Sequence, residues 1–101
     1  MRRRTKVLRL PDFAMAREAA DEIVNDVHVK SGDAIIVNGR DLAMNSDSFA
    51  DQLALRLKDA RPSSLIIAGG GEAWIEDISR ALSEREVHFE AKPLREALKA
   101  V

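Results

Sequence analysis

The chain has 101 residues, 46% of them hydrophobic and 33% charged, which is typical of one small globular domain and not of a disordered or membrane-spanning chain. Its 16 Lys and Arg against 17 Asp and Glu residues leave a net charge of −1, so no overall attraction to nucleic acid is expected. Without cysteine, it can form neither a disulfide nor a cysteine metal site. No apolar run reaches the roughly 20 residues of a membrane helix, and we expect a cytoplasmic protein with no membrane partner.

The N-terminal part predicts a basic tail, a strand and a helix. We divide the chain into a tail over residues 1–5 and a domain over residues 6–101. Val7–Leu10 predicts a short strand ended by Pro11, and Asp12 is placed to cap the helix that follows. The apolar residues of that helix recur at helical spacing; they are Ala16, Ala20, Ile23, Val24 and Val27.

The stretch Ala34–Leu57 predicts a buried strand, a polar loop and an amphipathic helix. Ala34–Val37 is apolar without alternation, which is typical of a strand covered on both faces. We expect Leu42 and Met44 to return the loop to the core. The inward side of the helix then consists of Phe49, Ala50, Leu53, Ala54 and Leu57.

Two serines compete for the start of this helix. Ser48 and Asp51 have the spacing of a capping box, in which a serine hydroxyl and an acidic side chain satisfy each other's backbone amides. Ser46 is the alternative N-cap, and the sequence leaves the choice open, although the capping box favours Ser48. Pro62 is expected to end the helix.

The C-terminal part predicts a strand, a turn, a helix, a strand and a last helix. Ser64–Ala68 is an apolar strand, Gly69–Gly71 is the turn, and a helix begins near Glu72. Val87–Ala91 alternates apolar and polar residues, as in a strand with one wet face. Pro93 suits the first residue of a last helix. The apolar residues of that last helix are Leu94, Ala97, Leu98 and Val101.

The order strand–helix therefore occurs four times. This alternation predicts an α/β fold with an approximately four-stranded, mainly parallel mixed sheet, packed by about four helices. Several strand orders are compatible with the alternation alone. We find no second domain and no internal repeat.

Motifs for catalysis are missing from the sequence. The serines lack a nucleophile elbow, and His28 and His88 have no partner at metal-binding spacing, so we expect no enzyme activity, no metal and no cofactor. Gly69–Gly71 opens a helix after a buried strand, which is where a phosphate can bind, but Glu72 follows and neither nucleotide-binding motif is matched. A small nucleotide- or anion-binding protein remains an alternative.

The chain resembles a STAS domain, the family of bacterial anti-sigma factor antagonists and of sulfate-transporter cytoplasmic domains. The resemblance runs from about Lys6 to Val101, and Ile35–Leu42 is similar to the central strand of the family. The family's Asp-Ser-Ser-Gly-Leu motif falls on Ser46–Ala50 (Ser-Asp-Ser-Phe-Ala). Ser48 matches the phosphoacceptor serine, whereas the positions on either side of it differ from the motif.

The resemblance implies a non-enzymatic signal-transduction module that binds a partner protein. Partners of such modules are GHKL-type serine kinases acting as anti-sigma factors, in partner switching, and phosphorylation of Ser48 would be the switch. The docking surface would include residues of the loop and of the helix start; these are Arg40, Asn45, Ser46, Asp47, Ser48 and Asp51. An alternative partner is a chemotaxis-type or other two-component sensory histidine kinase, without serine phosphorylation. The oligomeric state does not follow from the sequence.

Overall fold

The structure is a computed structural model that describes residues 4–99. The first three residues of the predicted tail, and Val101 of the predicted last helix, therefore lie outside the described residues. The elements along the chain are β1 (Thr5–Arg9), β2 (Phe13–Ala14), α1 (Arg17–Val27), β3 (Ala34–Asn38), β4 (Met44–Asn45), α2 (Asp47–Ala60), β5 (Ser64–Ala68), α3 (Glu72–Glu84), β6 (Glu90–Lys92) and α4 (Leu94–Lys99).

Four strands form the main sheet in the order β1-β3-β5-β6, and each neighbouring pair is parallel. Val7 lies opposite Ile36, which in turn lies opposite Ile66. The predicted α/β fold with four helices and a mainly parallel four-stranded sheet is thus confirmed. In addition, β2 and β4 form a separate two-stranded parallel pair.

The larger part of the core lies on one face of the sheet. Because the strands follow each other in one direction across the sheet, right-handed crossovers place α1, α2 and α3 on the same face. Leu8, Ile35 and Ile67 point to this face and pack with the helices. The helices contribute buried residues that include Val24, Phe49, Leu53, Leu57, Trp74, Ile78 and Leu82.

A second, smaller cluster lies on the opposite face of the sheet. Ile36 and Ala68 are buried there beneath Ala97 of α4. Val7, Ile66 and Leu94 pack around them and are half-buried. The six-residue helix α4 therefore covers a sheet face that the three longer helices leave open.

The structure corrects two predicted element boundaries. Asp12 does not cap α1, because the chain first forms β2, and α1 begins at Arg17 after Ala16, whose side chain makes no capping hydrogen bond. The last strand contains only Glu90–Lys92, since the amide of Val87 donates to Leu82 O at 2.9 Å and holds that segment against the end of α3. By contrast, α2 ends before Pro62, as predicted.

Candidate functional site

The pair β2–β4 builds a small ribbon beside the start of α2. Pro11 ends β1, and the carbonyl of Asp12 then accepts hydrogen bonds from the amides of Ala43, at 2.7 Å, and Met44, at 3.0 Å. The amide of Ser46 donates to Ala14 O at 3.1 Å, which ties the ribbon to the beginning of the helix. Two segments that are 30 residues apart in the chain are in this way held in fixed register (Phe13 opposite Met44, Ala14 opposite Asn45).

The outer side of this ribbon carries an exposed apolar patch, which we define as Phe13, Met15 and Met44. Ala14 is fully buried and anchors the ribbon, whereas Phe13 and its partner Met44 are 59% and 53% exposed. Met15 is 49% exposed. Among the described residues, only one other large apolar side chain, Leu98, is exposed to this degree. Clustered apolar exposure of this kind marks interaction sites on small proteins.

The prediction that Met44 returns to the core is therefore wrong. The ribbon hydrogen bonds fix β4 so that Asn45 faces inward and Met44 faces outward, because successive side chains of a strand point to opposite sides. Leu42 is half-buried and packs against the main core, in agreement with the prediction.

Ser46, not Ser48, is the N-cap of α2. Its hydroxyl accepts a hydrogen bond from the amide of Phe49 at 3.1 Å and donates one to Met15 O at 2.6 Å. The predicted capping box of Ser48 and Asp51 is thus wrong, because the ribbon fixes Ser46 in an extended conformation and the helix starts directly after it. The backbone of Met15 is in this way tied to the start of α2, and the single donor of the Ser46 hydroxyl is used within the molecule.

Asp47 and Ser48 are the first two residues of α2, and both side chains are exposed. The amides of a first helical turn lack intrahelical partners, so this end of the helix favours negative charge. Asp47 also lines a cleft of about 210 Å³ between α2 and α3, with Asp77 and Arg80 on its other side. Ser48 is therefore an exposed serine at the positive end of a 14-residue helix, four residues after Met44 of the apolar patch.

Asn45 and Asp51, which the sequence predicts as partner contacts, have partners within the molecule. The side-chain amide of Asn45 donates to Asp77 Oδ2 at 3.2 Å. The carboxylate of Asp51 accepts hydrogen bonds from Arg17, at 2.9 Å, and Arg85, at 2.8 Å. These two guanidinium groups hold the pKa of Asp51 below its ordinary value. Asp51 therefore connects α1, α2 and α3.

Arg40 lies in the turn after β3 and is exposed, with its amide donating to Asn38 Oδ1 at 3.0 Å. Its backbone lies against the glycine turn, since a Cβ on Gly69 would be 3.0 Å from Arg40 N. The structure thus places Arg40 beside Gly69, at the carboxyl ends of β3 and β5.

The geometry of Gly69–Gly71 follows from close packing. Gly69 and Gly70 have φ angles of +76° and +94°, and a Cβ on Gly70 would lie 2.6 Å from the ring of Trp74. Trp74 is buried with its ring nitrogen unpaired within the described chain. Close packing thus explains why Gly69 and Gly70 are glycines, and no phosphate-binding role is needed to explain them. Glu72 also adds negative charge to the first turn of α3, which disfavours a phosphate there.

Within residues 4–99, no three His, Asp or Glu side chains come together as a metal-binding group. Over the same residues, no helix combines the length and the apolar character needed to cross a membrane.

Sequence reasoning found the start of α2 but missed the apolar patch beside it. The only signal was the alternation of Phe13, Ala14 and Met15 directly after Pro11, which is too short to show a period. No family model, curated protein or solved structure matches the chain.

Proposed function

We propose that the chain is a non-enzymatic, STAS-like regulatory module that docks on a GHKL-type serine kinase or anti-sigma factor in the bacterial cytoplasm. The observation that supports this most is the apolar patch of Phe13, Met15 and Met44 beside the start of α2. The patch is held on a hydrogen-bonded ribbon, so it is preorganised for binding a partner. Because the backbone under these side chains is already ordered, binding costs little further backbone entropy.

Ser48 is the proposed switch. A phosphate there would face the free amides of the first turn of α2, which favour an anion. It would also add about two negative charges next to the apolar patch, at a place where the partner must exclude water. Phosphorylation would in this way weaken docking without unfolding the domain.

The docking surface can be tested with a purified GHKL-type serine kinase of the same organism. We expect Phe13→Asp and Met44→Asp to weaken binding at least tenfold, as measured by calorimetry, because a charge would then lie in an apolar contact. Leu98→Asp is the matched control, since Leu98 is exposed but lies on α4. Equal binding by all three variants would exclude the patch as the docking surface.

The switch is tested by incubating the same kinase with ATP and mapping the phosphate by mass spectrometry. Ser48→Ala should abolish phosphorylation and keep binding, whereas Ser83→Ala, at an exposed serine of α3, should change neither. Ser48→Asp should reduce binding. Phosphate on another residue would contradict the role of Ser48.

A second candidate function is an adaptor of a chemotaxis-type or other two-component histidine kinase, without serine phosphorylation. This function is favoured by Asp47, which directly precedes Ser48, because its carboxylate would repel a phosphate on Ser48. In this case the patch binds the kinase equally well with and without ATP, and no phosphate appears on Ser48. A binding assay on a histidine-kinase dimerisation domain distinguishes the two functions.

A further inference from the structure

A groove of about 740 Å³ lies between α1 and the chain that leaves β1. Its floor is apolar, with the buried side chain of Leu10 and the half-buried side chain of Ile23. Exposed charged side chains form its rim, and all but one of them are carboxylates; they are Asp12, Glu22, Asp26, Asp41 and Arg9. A floor and rim of this kind suit a ligand that is apolar in the middle and positively charged at its edges.

The cations near the groove do not neutralise its carboxylates. Arg9 lies 3.7 Å from Asp41, whereas the other three carboxylates of the rim make no ion pair within residues 4–99. Lys6 reaches the nearby end of α1, but it donates there to the carbonyls of Val27 and His28, at 3.4 and 3.3 Å. Even with Lys6 counted, four carboxylates face two cations, so the groove is negative.

The sequence of α1 has an unfavourable charge arrangement along this groove. Glu22 and Asp26 are four residues apart, so two like charges are neighbours on one face of the helix. Asp26 also lies in the last turn of α1, where a helix favours positive charge and where α1 has no basic residue. Positions that break such local rules are expected at functional sites.

We propose that the partner that docks on the apolar patch places a basic segment in this groove, with an apolar side chain on the floor and Lys or Arg side chains at the rim. The groove borders the patch in the chain, because Asp12 directly precedes Phe13 and its carbonyl accepts from the amide of Met44. The inference rests on the proposed function and adds to it the chemistry of the partner. The side of α1 from Ala19 to Asp26 is about 10 Å long, which corresponds to about three extended residues.

A polypeptide segment fits the groove better than a metal ion does. Over residues 4–99, no three acidic or histidine side chains are close enough together to hold a metal. The carboxylates are instead distributed from the segment after β1 to the last turn of α1. Several Lys or Arg side chains on one chain reach such separate carboxylates, and their spacing then selects the partner.

The groove is tested with a labelled synthetic peptide in which Leu alternates with Lys, titrated with the full chain by fluorescence anisotropy. We expect the groove variant, Glu22→Lys with Asp26→Lys, to weaken binding at least tenfold, because two attractions become repulsions. Glu72→Lys with Glu76→Lys makes the same charge change at the same spacing on α3, and should change binding less than twofold. Circular dichroism shows whether each variant is folded. Equal binding by the two folded variants would overturn the proposal.

Two further peptides test the chemistry of the segment. A peptide in which Ser replaces Leu keeps the charge but has no apolar side chain for the floor, so it should bind at least tenfold more weakly. A peptide in which Glu replaces Lys should not bind, because the rim repels it. Equal affinity for the Lys-Leu and Lys-Ser peptides would mean attraction by charge alone and would contradict the proposed segment.

The GHKL-type kinase separates this inference from the proposed function. Kinase binding that is lost in Phe13→Asp but unchanged in the groove variant would overturn the groove and keep the docking function. Peptide binding that is lost only in the groove variant, without any kinase binding by the wild type, would support the groove and exclude that kinase as the partner. Sedimentation equilibrium covers a different occupant: self-association of the wild type that the groove variant loses would assign the groove to a second copy and overturn the proposal.

Discussion

Asp51 shows how a single carboxylate connects three helices. Its two partners, Arg17 and Arg85, each lie 34 residues away in the chain, one on each side. No local pattern in the sequence could indicate these pairings, so a capping role or a partner contact was the natural prediction. The structure instead uses this residue to hold α1 and the end of α3 against α2.

The pKa of Asp51 predicts acid sensitivity of the fold. Hydrogen bonds from Arg17 and then Arg85 lower this pKa below its ordinary value of 3.8, which is the value we take for the unfolded chain. The unfolded chain therefore binds the proton first as the pH falls. The resulting stabilisation is complete above pH 5, begins to decrease towards pH 3.8, and is lost below the lowered pKa.

We expect Asp51→Asn to lower the free energy of unfolding at pH 7 by about 1 kcal/mol, as measured by urea denaturation. The effect is modest because the Asp51 side chain is 40% exposed and water screens its ion pairs. Below the lowered pKa the variant and the wild type should differ less. Asp59→Asn, at an exposed position of the same helix, is the control, and an equal loss in both variants would contradict the role of Asp51.

At the scale of elements, the sequence predicts the strands and helices that have long apolar patterns. It does not predict the strands that have only two residues. β3, β5, α2 and α3 lie where their apolar residues place them. β2 and β4 have two residues each, which is too short for any period, and their pairing joins distant segments. The start of α2 depends on this pairing, so the choice between Ser46 and Ser48 could not be made locally.

The two serines at the start of α2 should differ in their contribution to stability. Ser46→Ala removes the N-cap and the hydrogen bond to Met15 O, and we expect a loss of about 1 to 2 kcal/mol. Ser48→Ala should change the stability by less than about 0.5 kcal/mol, because Ser48 is exposed and does not cap the helix. Chemical denaturation measures both values. A larger loss for Ser48→Ala would mean that the helix starts two residues later.

For the whole molecule, the alternation of strands and helices predicted the fold class but not how the two faces of the sheet are covered. The strand order places three helices on one face. The other face then depends on α4, whose apolar pattern is only one turn and a half long. The sequence identified Ala97 as part of an apolar side but not the face of the sheet on which it lies.

Because α4 covers this face of the sheet through Ala97, we expect a charged substitution at Ala97 to destabilise the protein more than one elsewhere on the helix. Ala97 is fully buried over Ile36 and Ala68, so Ala97→Glu places an unpaired carboxylate between apolar groups. We expect a loss of about 3 kcal/mol or more in urea denaturation, together with increased binding of an apolar dye as α4 leaves the sheet. Leu98→Glu introduces the same side chain one residue later, at a position that is 43% exposed, and should cost less than about 1 kcal/mol. Equal stability of the two variants would contradict the packing of α4 on this face.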